Sequence, residues 1–226
     1  MAIRSLNGVG IHVVENPARL AAGWLIHTAS EPGQIALSGG STIGHAYELT
    51  AELRPEWRQD VHLWFGDERA VPPGDERSNY RLARETLLDR LRAQPTVHRI
   101  HGELGAPEAA ERYDRELDGV TLDFALNGIG PDGHTASLFP NSPALDERRH
   151  KVIAAEAGLE PFVERVTLTP PMFAATRLLV YLVTGESKAE AVRHSFAEEP
   201  SPETPASLIR GVETIAILDA AAASQL

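Results

Sequence analysis

Four short apolar runs constrain this chain more than any other feature. Each is apolar on both faces, with at most one polar residue in it, and each stops at a glycine-bearing polar loop. Residues 34–37 lead into Ser38-Gly39-Gly40, 61–65 into Gly66-Asp67, 122–126 into Asn127-Gly128, and 178–183 into Thr184-Gly185. A strand that is apolar on both faces must be covered on both faces, which is the condition of a parallel sheet clad by helices. In such a sheet the four loops share one rim, the carboxyl edge, where ligands of open α/β folds bind.

The segments between these runs are helical. Residues 11–14 form a strand, and Asn16 then caps a helix with Pro17 at its first position and Leu20, Ala21, Trp24 and Leu25 on its apolar face. A second helix passes through Tyr47, Leu49 and Leu53 and stops before Pro55; Ser78 caps a third, which runs through 82–91, and a fourth covers 107–117. Residues 165–169 alternate as a strand and meet Pro170-Pro171, which can only begin a new element, a short helix through Met172 and Phe173. A helix follows Lys188 as far as Phe196, residues 206–210 make a turn or short helix, and 213–218 are the last strand. No linker or shift in composition divides residues 1–226, so one α/β domain with a mostly parallel sheet is expected.

Composition narrows the chemistry. With no cysteine, disulfides, thiolate metal sites and Cys nucleophiles are excluded, and a metal would need His and carboxylate ligands. His98 and His101 with Glu103 are a poor candidate, because no third ligand is convincing, and no metal is expected. The N-terminal MAIRSLNGVG lacks a signal-peptide core and no apolar run has membrane-spanning length, which points to a cytoplasmic protein. A formal charge of -11 argues against nucleic acid and anionic membrane as partners, but not against a small anion held by a few gathered cations.

Such gathering is visible on the rim. Ser38-Gly39-Gly40-Ser41-Thr42 has the composition of an anion cradle, with exposed backbone amides, two hydroxyls and a helix N-terminus. It is neither a Walker loop nor a dinucleotide fingerprint, so no nucleotide is implied. Lys188 is an odd charge for a first helical turn unless an anion sits beside it, and Arg165 offers a second cation. Asp-Glu-Arg occurs at 67–69, on a strand end, and again at 75–77, in a Pro/Gly-rich loop. Asp67 and Arg69 are the better placed; Asn79 and Tyr80 either steady that loop or reach a ligand. The loop Gly128 to Pro140 brings Asp132 and His134 together, a carboxylate beside the side chain that titrates near neutral pH.

Assembled in order, the blocks SGGST (38–42), GDERAVP (66–72), SNY (78–80), NGIGPDGHTASLFP (127–140), RVTLTPP (165–171) and TGESKA (184–189) resemble those of the 6-phosphogluconolactonases, within the glucosamine-6-phosphate isomerase/deaminase-like superfamily. The resemblance implies a Rossmann-like three-layer α/β/α sandwich, a place in the oxidative pentose phosphate pathway, and no metal or organic cofactor. The substrate it implies is a small phosphorylated sugar lactone; the protein is expected to be a monomer or small homo-oligomer. By motif, Gly39, Gly40, Ser41, Thr42, Arg165 and Lys188 would hold the phosphate, with Asp67 also on the substrate. His134 would be the general base, and Asp132 would orient it or bind the sugar. Arg69 or backbone amides would stabilise the oxyanion; Arg77 is the less favoured alternative to Arg69. Ser137 lacks the strained Gly-x-Ser-x-Gly setting of a nucleophile and ranks below direct attack by water. The amino-sugar deaminases of the superfamily carry a block like DGHIAFNEP, with a carboxylate before the proline, where this chain has Phe139. That substitution favours hydrolysis over isomerisation. A catalytically silent sugar-phosphate sensor is the other alternative, against which the retention of Asp132 and His134 speaks.

Overall fold

A computed structural model describes residues 2–53 and 55–226. Met1, the first residue of the N-terminal stretch discussed above, and Arg54, beside the expected helix stop at Pro55, lie outside the described residues.

The chain opens with a hairpin, β1 (Ala2–Leu6) and β2 (Val9–Val13), joined through Asn7 and Gly8 at φ 46° and 79°. Asn-Gly is the sequence signature of a two-residue turn with both central residues left-handed. β1 was not expected, although that dipeptide announces it. Helix α1 (Pro17–Thr28) starts where the Asn16 side chain accepts a bond from the Arg19 N–H at 2.9 Å. There follow β3 (Gly33–Leu37), α2 (Ser41–Glu52), β4 (Val61–Phe65), β5 (Asp67–Arg69), α3 (Asn79–Thr86), β6 (Thr96–Val97), α4 (Ala106–Glu116) and β7 (Phe124–Asn127). The second half comprises β8 (Val152–Ala155), β9 (Arg165–Leu168), α5 (Pro170–Ala174), β10 (Leu178–Val183), α6 (Ala189–Phe196), α7 (Pro205–Leu208) and β11 (Glu213–Leu218).

Eight strands form the central sheet in the order β1-β2-β11-β10-β7-β3-β4-β6, parallel throughout except for β1. This is the mostly parallel, helix-clad Rossmann-like architecture the sequence led us to expect. β7 is buried along its whole length and β10 along all but its first residue, which is why residues 124–126 and 178–183 read as apolar runs. Fully buried aromatics, among them Phe65, Phe124, Phe173 and Tyr181, fill the layers, and burial of each such side chain stabilises by roughly 1.5–3 kcal/mol.

Two expectations are corrected, and one expected strand finds its sheet. Residues 165–168 do form a strand, but it leaves the main sheet and pairs antiparallel with β5 and β8 in a small sheet ordered β5-β9-β8. Asp67–Arg69 is therefore a strand of this second sheet rather than a loop. The helix begun at Ser78 ends at Thr86, and a separate 3-10 turn covers Leu88–Arg90, because the apolar pattern continues after the α-helical hydrogen bonds have stopped.

Candidate active site

The loops after β3, β4, β7 and β10, four neighbouring strands at the middle of the sheet, converge on one cleft of about 240 Å³. Gly39, Gly40, Ser41, Thr42, Asp67, Arg69, His134 and Lys188 all line it. Asp132 and Arg165 do not.

The cradle is built around the start of α2. Gly40 is its N-cap, at φ 107°, a backbone conformation that glycine adopts without cost, and no side chain caps the helix. The first-turn amides are thus left for solvent or an anion, at the positive end of the helix dipole. Ser38 is pinned from behind by Tyr47, whose buried hydroxyl donates to the Ser38 carbonyl at 2.8 Å and accepts from its N–H at 3.0 Å. The Ser38 hydroxyl donates to Asn127 Oδ1 at 3.2 Å, and Asn127 Nδ2 donates to Thr135 Oγ1 at 3.1 Å. The end of β7 therefore ties the cradle to the histidine loop. Thr42 and Thr184 join their hydroxyls at 3.1 Å across the cleft mouth.

On the cradle's other side, Asp67 fixes two neighbours. Its Oδ2 accepts from the Ser137 hydroxyl at 2.6 Å and its Oδ1 from Asn79 Nδ2 at 2.9 Å. Ser137 is buried and committed to this bond, which is the setting of a brace and not of a nucleophile. Glu68, not singled out by sequence, is 2% exposed and accepts from the Arg69, Asn79 and Tyr80 backbone N–H groups and the Ser78 hydroxyl, all within 2.8–2.9 Å. Burial pushes its pKa up against these four donors. It anchors α3 to β5, a role readable only once the strand and the helix start are known to meet.

Asp132 and His134 form a close pair, Oδ1 to Nδ1 at 2.5 Å, reinforced by the His134 N–H to the same oxygen at 3.2 Å. Burial would raise the Asp132 pKa, but the bond and charge of His134 outweigh it and hold the carboxyl below its ordinary range. A carboxylate at Nδ1 keeps the proton of a neutral imidazole there, so that Nε2 carries the free lone pair. Among the described residues nothing bonds Nε2.

The cations divide by position. Lys188 lines the cleft at the end of a 3-10 turn that leads into α6; burial pushes its pKa down, and the Asp132 charge offsets part of this. An adjacent anion would favour its charged form. Arg69 lines the cleft with Nη1 donating to the Arg77 carbonyl, whereas Arg77 itself turns away to pair with Asp75 at 2.7 Å. Arg165 is 3% exposed, opposite Arg69 in the β5–β9 register, and bonds the Pro161 carbonyl through Nη2 at 2.9 Å. Burial and then the Arg69 charge push its pKa down. It is the cross-strand partner of Arg69 and does not line the cleft. His98 stacks on Trp64 and bonds His62 at 2.9 Å, while His101 faces Glu103; among the described residues no group of three or more His, Asp or Glu side chains is placed to hold a metal.

Fold and site together define a Rossmann-like α/β protein whose sheet edge carries a cleft lined by a helix N-terminus, His134 and Lys188. Residues 19–217 match the family described as glucosamine-6-phosphate isomerases/6-phosphogluconolactonase, and the chain belongs to that family. It is 37% identical over 188 residues to a 6-phosphogluconolactonase of Homo sapiens, covering 78% of this chain and 73% of the relative. It is 36% identical over 215 residues to a 6-phosphogluconolactonase of Mycobacterium leprae, covering 88% and 87%. The solved structure of 6-phosphogluconolactonase from Trypanosoma cruzi superposes with a TM-score of 0.83 at 29% identity, covering 100% of this chain and 99% of that one. Among the described residues no helix is long and apolar enough to cross a membrane.

Proposed function

We propose that this protein is a cytoplasmic 6-phosphogluconolactonase that hydrolyses 6-phosphoglucono-1,5-lactone to 6-phosphogluconate with His134 as general base. One observation carries the reading: His134, paired with Asp132, lines the same cleft as a helix-N-terminal cradle and Lys188. The cradle and Lys188 take the phosphate, which leaves the lactone carbonyl on the histidine side. Neutral His134 accepts a proton at Nε2 from a water as the water oxygen bonds to C1. The carbonyl electrons pass to its oxygen, where Arg69, backed by Arg165, stabilises the charge. Collapse breaks the bond from C1 to the ring oxygen, which takes the proton back from His134. The product carboxylic acid then ionises into solvent. Asp132 acts through His134, by holding its tautomer and stabilising the imidazolium. No acyl-enzyme is needed, because a δ-lactone is already an activated ester.

Glucosamine 6-phosphate is not expected to react, since Phe139 packs its ring 4.8 Å from the imidazole where the deaminases carry a carboxylate. The test is proton release at constant pH, with the spontaneous opening of the lactone subtracted. His134→Ala is expected to lower kcat by about 10²–10⁴ while leaving 6-phosphogluconate affinity nearly intact. A folded His134→Ala protein with near-normal kcat removes the histidine from the mechanism, and a wild-type trace no faster than the blank leaves only a sugar-phosphate sensor.

A further inference from the structure

We infer that Phe139 and Gly158 are positioning residues for His134, the backbone at 158 holding the phenyl ring against the imidazole. The inference rests on the reading of His134 as the base. The bond from Asp132 to Nδ1 sets one distance, whereas the side chain has two torsions, so a correlated change of χ1 and χ2 can keep the bond and still carry Nε2 to a new place. What removes this freedom is packing. On the Nδ1–Cε1 side the backbone of Gly130 comes so close that a Cβ there would lie 2.0 Å from Nδ1 and 2.2 Å from Cε1. The Phe139 ring meets the imidazole at 4.8 Å between centroids, tilted 38°.

Phe139 has nowhere to retreat. It is 5% exposed, and a Cβ at the exposed Gly158 would fall 2.6 Å from its Cγ, 2.7 Å from Cδ1 and 2.9 Å from Cβ, so a side chain at 158 must displace either the ring or the segment that carries it. Gly158 lies in the segment between β8 and β9, and the Arg165 bond to Pro161 ties that segment to the small sheet carrying Asp67 and Arg69. The orientation of the base is thereby set by a stretch of chain that does not itself line the cleft. Phe139 is buried, and close packing around it passes a displacement of the ring on to the imidazole.

The experiment compares Gly158→Ala, Phe139→Leu, the double variant and His134→Ala, each checked for native circular dichroism. Gly158→Ala is expected to lower kcat by on the order of 10- to 100-fold with KM little changed, as a displacement of about 1 Å at the reacting groups can do. It should also shift the His134 ring signals in spectra of histidine-labelled protein, because the phenyl ring current moves. Leucine keeps Cβ, Cγ and Cδ1, the atoms nearest a Cβ at 158, but has no ring to press on the imidazole, so the double variant should be no slower than Phe139→Leu alone. Wild-type kcat and unshifted ring signals in Gly158→Ala, beside a crippled His134→Ala, overturn the inference and leave the proposed function standing. Equal multiplication of the two single effects in the double variant also overturns it. Near-normal kcat in His134→Ala defeats the base assignment and the inference with it. Should Gly158→Ala not fold, Phe139→Leu decides: unchanged kcat and imidazole signals there refute the positioning role.

Discussion

Tyr47→Phe isolates the rigidity of the phosphate cradle from its charge. The hydroxyl is fully buried and makes both of its bonds to one residue, donating to the Ser38 carbonyl and accepting from the Ser38 N–H. Burial pushes the phenol pKa up, so the group stays protonated and remains a donor. Phenylalanine keeps the ring and its packing but leaves two backbone groups unpaired at a residue only 4% exposed. Each buried unpaired group costs about 1–3 kcal/mol, and partial relaxation brings the expected total to roughly 2–4 kcal/mol. For a chain of 226 residues each kcal/mol lowers Tm by about 2–4 °C, so thermal unfolding followed by circular dichroism should shift downward by about 5–15 °C. Ser38 immediately precedes Gly39 and Gly40, so the cradle should loosen as well. KM for the phosphorylated lactone should then rise more than kcat falls, and 6-phosphogluconate should protect the variant less than the wild type at equal concentration. A variant that melts within about 1 °C of wild type with unchanged KM would refute the claim that this hydroxyl holds the loop.

Lys188→Ala removes a charge-assisted bond worth about 1.5–3 kcal/mol, so affinity for 6-phosphogluconate should fall about tenfold or more. Hydrolysis of unphosphorylated gluconolactone should change much less, and equal damage to both substrates would show that the lysine does not read phosphate. Glu103 is held down to about 2 by the Arg99 guanidinium. Its folded pKa lies below its unfolded value, so it stabilises above about pH 4.5 and that contribution is lost as pH falls toward about 2. Glu103→Gln should flatten the fall of Tm across this window, and an unaltered pH–Tm profile would count against the pair. Activity should survive exhaustive EDTA treatment; loss restored by one divalent ion would reopen His134 and Asp132 as ligands.

The chain's local chemistry was sufficient for its framework. Runs such as 178–183 are apolar on both faces because both faces are covered, and polar loops after them must share the carboxyl edge in a parallel sheet. Gly40 before a helix, and Asp132 two residues from His134, are likewise short-range patterns, and the dyad closes within one turn. What depended on tertiary structure is what joins distant segments. Residues 165–168 have the alternation of a strand, but nothing local says which sheet they enter; pairing with β5 and β8 does. That choice buries Arg165 opposite Arg69 and off the lining of the cleft, in a place its sequence block could not reveal. Ser137 reads as a spare hydroxyl until it is found on Asp67, 70 residues earlier. Glu68 has no role of its own in the sequence until α3 starts against it. The contact of Gly158 with Phe139, and of Phe139 with His134, exists only because packing brings the segment after β8 over the histidine loop. Propensity and periodicity act over a few residues, whereas these contacts are decided by which faces have to be buried together.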